Sequence, residues 1–340
     1  MDETKNAAAE PLVDIAGLKV DFSIRGAMTP ILRSVDVRVD KGEIVGLVGE
    51  SGSGKSVTGL TVMGLLDRQA KIAGGTIRFA GTELTGASPE TMRSLRGGRL
   101  AMIFQDPLMT LNPVLRIDTQ MIETLFAHNP SLSKAEARRR CLEALVRVGI
   151  PAPEERLTAY PHQLSGGMRQ RIAIAIAMLN RPELIIADEP TTALDVTIQA
   201  QILYEMQKLC RESGTSLLWI THDLAVVAGL ADRVYVMYSG KIVENGRVDD
   251  VLDAPRHPYT RGLILSSPGN NIPGEPLFQI PGMSPLPAAR PSGCAFRPRC
   301  PNATERCLEE PPETTTERGH AFTCFHPATE TSGIGKEAAL

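Results

Sequence analysis

At 340 residues, 42% of them hydrophobic, with a formal net charge of −3, the chain can bury a full core and has room for a main domain plus an appendage. The slightly acidic balance offers no basic field for nucleic acid, and the one short basic run, Arg138–Arg140, reads as a solvated helix face. No apolar run approaches the roughly 20 residues needed to span a bilayer, and the polar, acidic start lacks the apolar stretch of a signal peptide. These features predict a cytosolic chain, free to dock on a membrane protein.

Residues 1–10 read as disordered. From Leu12 to about Asp249 strand and helix patterns alternate, which predicts an α/β fold with a mostly parallel sheet over residues 11–250. Glu43–Val48 reads as a buried strand, followed by a Gly-rich loop and a helix through about Leu66. A middle section, about 89–160, reads as helical. In it Ser133 and Glu136 form a capping box, Leu142, Leu145 and Val146 an apolar stripe, and Gly149 and Pro151 a stop. Strands resume at Leu184–Ala187, Leu217–Thr221 and Val234–Tyr238, and Ser239-Gly240 turns the chain into Ile242–Val243. Beyond Pro255 periodicity fades and Pro, Gly and Cys accumulate, so 251–327 reads as a small appended domain and 328–340 as a loose tail. No internal repeat is visible.

Gly49-Glu50-Ser51-Gly52-Ser53-Gly54-Lys55-Ser56 fits the phosphate-loop pattern G-x-x-x-x-G-K-[ST], with a strand before it and a helix after. Glycines let backbone N–H groups wrap phosphates, Lys55 supplies a point charge at the β/γ oxygens, and the Ser56 hydroxyl is placed for Mg²⁺. Gln105, in Phe104-Gln105-Asp106-Pro107, sits where the sheet hands over to the helical section and can sense Mg²⁺ and a water; the bland reading is a loop amide. Leu164 to Arg171, with Ser165, Gly166, Gly167 and Gln170, reads as a second phosphate-binding helix N-terminus. One nucleotide cannot easily use both, which points to two chains sharing two ATP molecules. Leu184–Ala187 delivers Asp188 and Glu189 at a strand's C-terminal end, where ligands sit in open α/β sheets; Asp188 suits Mg²⁺ and Glu189 an attacking water. Asp195 can cross to a facing subunit or simply cap a helix. His222 follows another apolar strand and is placed for a γ-phosphate, although a lone His is usually structural.

Of six cysteines, Cys141 and Cys210 lie alone on predicted helices as core thiols, while Cys294, Cys300, Cys307 and Cys324 crowd together. Four thiolates satisfy tetrahedral zinc or a cubane iron–sulfur cluster; free thiols or disulfides are the alternative. Structural zinc usually takes paired ligands two to four residues apart, and no such pair exists here. Pro301 after Cys300 is a step seen at cluster cysteines, and Arg297, Arg299 and Arg306 can offset thiolate charge.

In their order and separation these elements resemble the ATP-binding subunits of ABC transporters, over about residues 12–250. The resemblance implies an α/β P-loop NTPase core with a mixed sheet, a helical subdomain and a small Cys-rich extension. It makes Gly49–Ser56 the Walker A loop, Gln105 the Q-loop glutamine and Leu164–Gln170 the signature. Asp188 becomes the Walker B aspartate, Glu189 the catalytic base, Asp195 the D-loop residue, His222 the switch histidine and Phe22 the adenine-stacking aromatic. It also implies two ATPases closing head to tail, each ATP held between one phosphate loop and the other's signature, coupled to membrane subunits. Phe104–Pro113, Pro190–Gln201 and His257-Pro258-Tyr259-Thr260 narrow the resemblance to oligopeptide/dipeptide importers. The HPY element reads physically as a helix start with Pro in the first turn. That family implies a second, homologous ATPase, two permease subunits, a substrate-binding protein further off, and a site at the cytoplasmic face of the inner membrane. Its D-type subunits have a similar cysteine set, which favours a [4Fe-4S] cluster over zinc. Dipeptides, longer peptides, glutathione and chelated nickel all stay open as cargo. A soluble ABC ATPase acting on DNA or ribosomes is the rival, disfavoured by the absence of a second cassette or coiled-coil insertion.

Overall fold

The strand β3 (Ile44–Val48) is buried at every position, as expected of a parallel strand covered on both faces. In the computed structural model, which describes residues 10–107, 110–192, 195–267, 269, 276 and 278–328, β3 pairs in parallel with β8 (Ser216–Thr221) on one side and β9 (Arg233–Tyr238) on the other. Beyond β8 come β7 (Leu184–Asp188) and β6 (Leu100–Ile103), also parallel. Beyond β9 the sheet turns antiparallel at β10 (Lys241–Arg247), bridges to β2 (Ala27–Val39), and continues through β1 (Val13–Ile24), β4 (Ala70–Phe79) and β5 (Thr82–Glu83). A short pair, β11 (Glu313–Thr315) and β12 (Ala321–Thr323), joins at β10. The sheet is mixed, as the family resemblance implies; the mostly parallel sheet expected from the strand–helix alternation holds only for β3 and β6–β9, because β10 is antiparallel to β9, and β1 to both β2 and β4. The early residues 1–9, the step 193–194 and the tail 329–340 lie outside the described residues.

Two stretches differ from the expectation. The helix α1 (Lys55–Val62) ends before Leu66 because Gly64, at φ +61°, turns the chain back. The section read as helical from residue 89 holds α2 (Pro89–Leu95) and then β6, whose four apolar residues are all buried against β7. A short apolar run carries no period that separates strand from buried helix. Helices proper follow: α3 (Ile117–His128), α4 (Lys134–Arg147), α5 (Pro153–Leu157) and α6 (Gly166–Met178). In α4 the Ser133 hydroxyl accepts the Glu136 N–H at 3.2 Å, as expected of the cap. The Glu136 carboxylate is instead taken by Arg139 and Arg140. The buried stripe is Ala137, Cys141 and Leu145, and Val146 is 62% exposed; an i, i+4 ladder sets the face, and Val146 stands one step off it.

Three apolar cores hold this together. One lies under α3–α6, α7 (Val196–Ser213) and α8 (Leu224–Leu230), and a second between the parallel strands and the β1–β2–β4 layer. Cys141 and Cys210 belong to the first, and burial pushes both thiols up to about 12. The third core joins β9 and β10 to α9 (Val248–Asp253), α10 (Pro258–Leu265), Ala295 and Phe296. The Cys-rich extension thus shares a core with the nucleotide domain instead of standing apart. Among the described residues no helix is long and apolar enough to cross a membrane.

Polar contacts fix the same junction. Glu244 in β10, wholly buried, accepts the backbone N–H groups of Arg256 and His257 at 2.6 and 2.9 Å and the His320 Nε2 at 2.7 Å. At the start of α10 the His257 Nδ1 accepts the Tyr259 N–H with Pro258 at the first helical position, the helix-start reading of that tripeptide. Burial drives His257 down to about 4, against the pull of Glu244. Replacing Glu244 by Ala orphans these buried donors, at about 1–3 kcal/mol each. Glu244→Ala is expected to lower the urea unfolding midpoint by the equivalent of about 3 kcal/mol or more; a wild-type midpoint would show that this junction does not hold the extension.

Candidate functional site

Parallel pairing sets the site's position, because every functional loop leaves the sheet at one end. Val48 is opposite Thr221 and Asp188 opposite Ile220, so the phosphate loop, the acidic pair and His222 emerge side by side. The loop leaves β3 at Gly49, where a Cβ would lie 2.1 Å from the Met237 carbonyl oxygen; no side chain fits there. It closes into α1, whose N-terminal N–H groups carry the positive end of the helix dipole. Lys55, 4% exposed, folds back so that its Nζ donates to the carbonyls of Gly49 at 2.7 Å and Glu50 at 3.1 Å. Burial lowers its pKa, opposed by Glu189, Asp188 and Glu50.

Ser56 Oγ donates to Asp188 Oδ1 at 2.9 Å across 132 residues of sequence. Burial raises the Asp188 pKa and Glu189 adds to it, against the Ser56 hydrogen bond and Lys55. A hydroxyl and a carboxylate meeting at a helix N-terminus form a hard-oxygen donor set that fits Mg²⁺. Glu189 stands in the left-handed region at φ +44°, its N–H held by the Ile220 carbonyl at 2.9 Å. Non-glycine residues occupy this region at a cost, and such strain gathers at working sites. Its Oε2 accepts from Thr192 Oγ1 at 3.0 Å and lies 3.3 Å from His222 Nδ1. Thr192 has no signal of its own in the sequence beyond its place three residues after Glu189.

Of the remaining sequence-derived residues, Gln105 leaves the sheet at the same end, because Ile103 is opposite Ala187 in the parallel pair β6–β7, and the others sit on other elements. Ser165 caps α6, its hydroxyl accepting the Met168 N–H at 3.3 Å, with Gly166 and Gly167 in the first turn. That helix packs on α4 and β6, whereas α1 packs on β7 and β8, so the two helix N-termini belong to different layers. Gln170 is 1% exposed with its Nε2 unpartnered among the described residues; it faces the packing and not solvent. Gln105 is exposed just past β6. Asp195 caps α7, its Oδ1 accepting the Ile198 N–H at 3.0 Å. Phe22 lies in β1 opposite Thr29 and Ala70, partly buried against the second core.

Cys294, Cys300, Cys307 and Cys324 line one small cavity with Phe296, Arg297 and Phe325. All four are free thiols, and the Cys294 N–H donates to the Cys307 carbonyl at 3.1 Å. Burial pushes the Cys324 thiol up to about 11, and the three neighbouring cysteines push the same way. Among the described residues no three His, Cys, Asp or Glu side chains gather as they would around a metal ion. Arg297 lines the same cavity, and its buried Nη1 has no hydrogen-bond partner among the described residues. Of the other two arginines, Arg306 stands beside Phe325, which lines the same cavity, and only Arg299 departs from the expectation. Arg306 lies over the Phe325 ring at 4.4 Å. Arg299 turns away to the phosphate loop, where it pairs with Glu50, a contact for which the sequence gives no local sign.

Comparison with known proteins adds identity to this geometry. Residues 32–192 match the ABC transporter family model, and 243–307 match the C-terminal region of oligopeptide/dipeptide transporters. The chain is 47% identical over 316 residues to the oligopeptide transport ATP-binding protein AppD of Bacillus subtilis, covering 92% of this chain and 96% of that one. It is 44% identical over 322 residues to OppD of Escherichia coli, covering 95% of each. In solved structures it is similar to the ATP-binding cassette MJ0796, seen as a dimer in a post-hydrolysis state with ADP and Pi. That likeness has a TM-score of 0.62 and 29% identity, and covers 69% of this chain and 98% of the other. With relatives this close along nearly its whole length, the chain belongs to the ABC transporter ATP-binding proteins of the oligopeptide/dipeptide importer type.

Proposed function

We propose that the chain hydrolyses ATP to drive import of di- or oligopeptides, with the chemistry at Gly49–Ser56, Asp188, Glu189 and His222. The observation that carries this reading is the Ser56–Asp188–Glu189–His222 line, which ties the phosphate loop to the ends of two neighbouring strands. The loop N–H groups and Lys55 hold the triphosphate. Ser56 and Asp188 would hold Mg²⁺, which supplies charge neutralisation at the phosphates. Glu189 takes the proton of the attacking water, and His222 orients the carboxylate through its Nδ1 contact. Ser165, Gly166 and Gly167 serve a nucleotide on the partner's loop, Asp195 sits at that seam, and Gln105 links the helical layer to the site. Phe22 stacks on the adenine. In this reading residues 11–250 form the nucleotide domain, with a helical subdomain at about 89–160, and residues 251–327 form an extension joined to it by the third core.

The working unit in this reading is a pair of homologous ATPases under two permease subunits at the cytoplasmic face of the inner membrane, fed by a substrate-binding protein. Glu189→Gln in the assembled transporter is expected to keep ATP binding, lose about 10²-fold or more in turnover, and abolish peptide uptake. Uptake at the wild-type rate, measured with a labelled peptide, would overturn the transport role.

The four-cysteine cavity is assigned to a [4Fe-4S] cluster, supported by its four thiols and the unpartnered Arg297 donor. Such a cluster would supply a rigid cross-link of the extension, with Arg297 offsetting thiolate charge. Anaerobically purified protein is expected to carry about four irons and four labile sulfides per chain. Zinc alone, or no metal at all, would sink this assignment.

A further inference from the structure

Glu50, the second residue of the phosphate loop, is gripped from outside the nucleotide domain. Its carboxylate forms a two-pronged pair with Arg299, Nη1 to Oε2 at 2.7 Å and Nη2 to Oε1 at 2.8 Å, and Ser284 Oγ donates to the same group. Its backbone N–H donates to the Tyr259 hydroxyl at 2.8 Å. The three gripping residues all come from the extension.

Arg299 is itself tightly placed. Its side chain is 5% exposed, its Nε donates to the Pro281 carbonyl at 2.9 Å, and its guanidinium lies 5.9 and 5.8 Å from the ring centres of Tyr238 and Phe296. It ends a single 3₁₀ turn between Cys294 and Cys300, closed by the Arg299 N–H to the Phe296 carbonyl. Arg paired two-pronged to a carboxylate, with the guanidinium itself buried, is both a strong contact and a geometric one.

The need for such a grip follows from charge. A carboxylate on the loop that cradles a triphosphate repels the ligand and competes for Lys55, whose Nζ already donates to the Glu50 carbonyl at 3.1 Å. Arg299 and Ser284 hold the Glu50 pKa down although burial acts to raise it, so Glu50 is an anion that must be neutralised and aimed away from the phosphates.

We propose that Arg299 is a positioning residue for nucleotide binding: through Glu50 it neutralises and fixes the phosphate loop, so the C-terminal extension sets the affinity for ATP. This rests on Gly49–Ser56 being the ATP loop, which Lys55→Ala tests independently. ATP titrations of the full chain with Mg²⁺ present compare wild type with Lys55→Ala, Arg299→Lys, Arg299→Met, and Arg299→Met combined with Glu50→Gln. Lys55→Ala is expected to lose binding; if it binds ATP normally, the loop reading itself fails. Arg299→Met is expected to weaken ATP binding roughly tenfold, and Arg299→Lys less, since one prong remains. Adding Glu50→Gln should restore most of the loss, because the unpaired anion is then gone, and no purely structural role predicts that rescue. Wild-type affinity in either Arg299 variant, or a double variant as weak as Arg299→Met or weaker, would overturn the proposal. Arg299→Lys carries the same test should Arg299→Met fail to fold.

Discussion

The register of three parallel strands is the constraint from which the site follows. With β3, β8 and β7 in step, Val48, Thr221 and Asp188 end within one residue of the same level, and three loops far apart in sequence open at the same end of the sheet. The Ser56–Asp188 hydrogen bond then closes the gap between the first helix turn and the third strand. A slip of one residue in β7 would send Asp188 to the other face; Leu184–Ala187 are buried on both faces of the sheet, and pairing with β6 on one side and β8 on the other holds the register. Pairing of buried apolar strands therefore aims the carboxylates.

The extension depends on the same sheet. Tyr238 closes β9, and its ring packs on Tyr259 and Phe296 with centroids 4.6 and 5.3 Å away. Those rings form the floor on which Arg299 lies. Glu244 ties the following strand to the start of α10 and to His320. One core thus spans the nucleotide domain and the segment carrying the four cysteines. A disturbance at the cysteine cavity has a short physical route to the phosphate loop, through the turn that holds Arg299.

What could be read in the sequence was local. The phosphate loop, the acidic pair after LIIA and the strand before His222 each combine a short apolar run with chemistry at its end, and the structure places each at its strand's end. The readings that shifted lacked such a marker. β6 is four apolar residues with no period to show its type, and Val146 sits one step off a face that only the helix ladder defines. Arg299 pairs with Glu50 across 249 residues; composition offered it as a counter-charge for the cysteines, and only tertiary packing shows it turned the other way. Thr192 and Tyr259 went unassigned for the same reason, since a hydroxyl announces a partner only once the partner is near.

The two helix N-termini differ in what they already hold. At α1, Lys55 is buried and folded onto the loop carbonyls, so the positive charge is in place before a phosphate arrives. At α6 the first turn offers an exposed Ser165 that caps its own helix and ends on the partly exposed Arg169, with no buried lysine folded onto the preceding loop. Its N–H groups can bind a phosphate that something else has already positioned, without a cation buried against the loop as Lys55 is at α1. A strong site and a weak one on separate layers of one chain suit a nucleotide held first at the strong end and then closed upon by the weak end of a second subunit. In the proposed arrangement ATP would be the cross-link between subunits, and the proposed grip of the extension on Glu50 would act at the end that binds first.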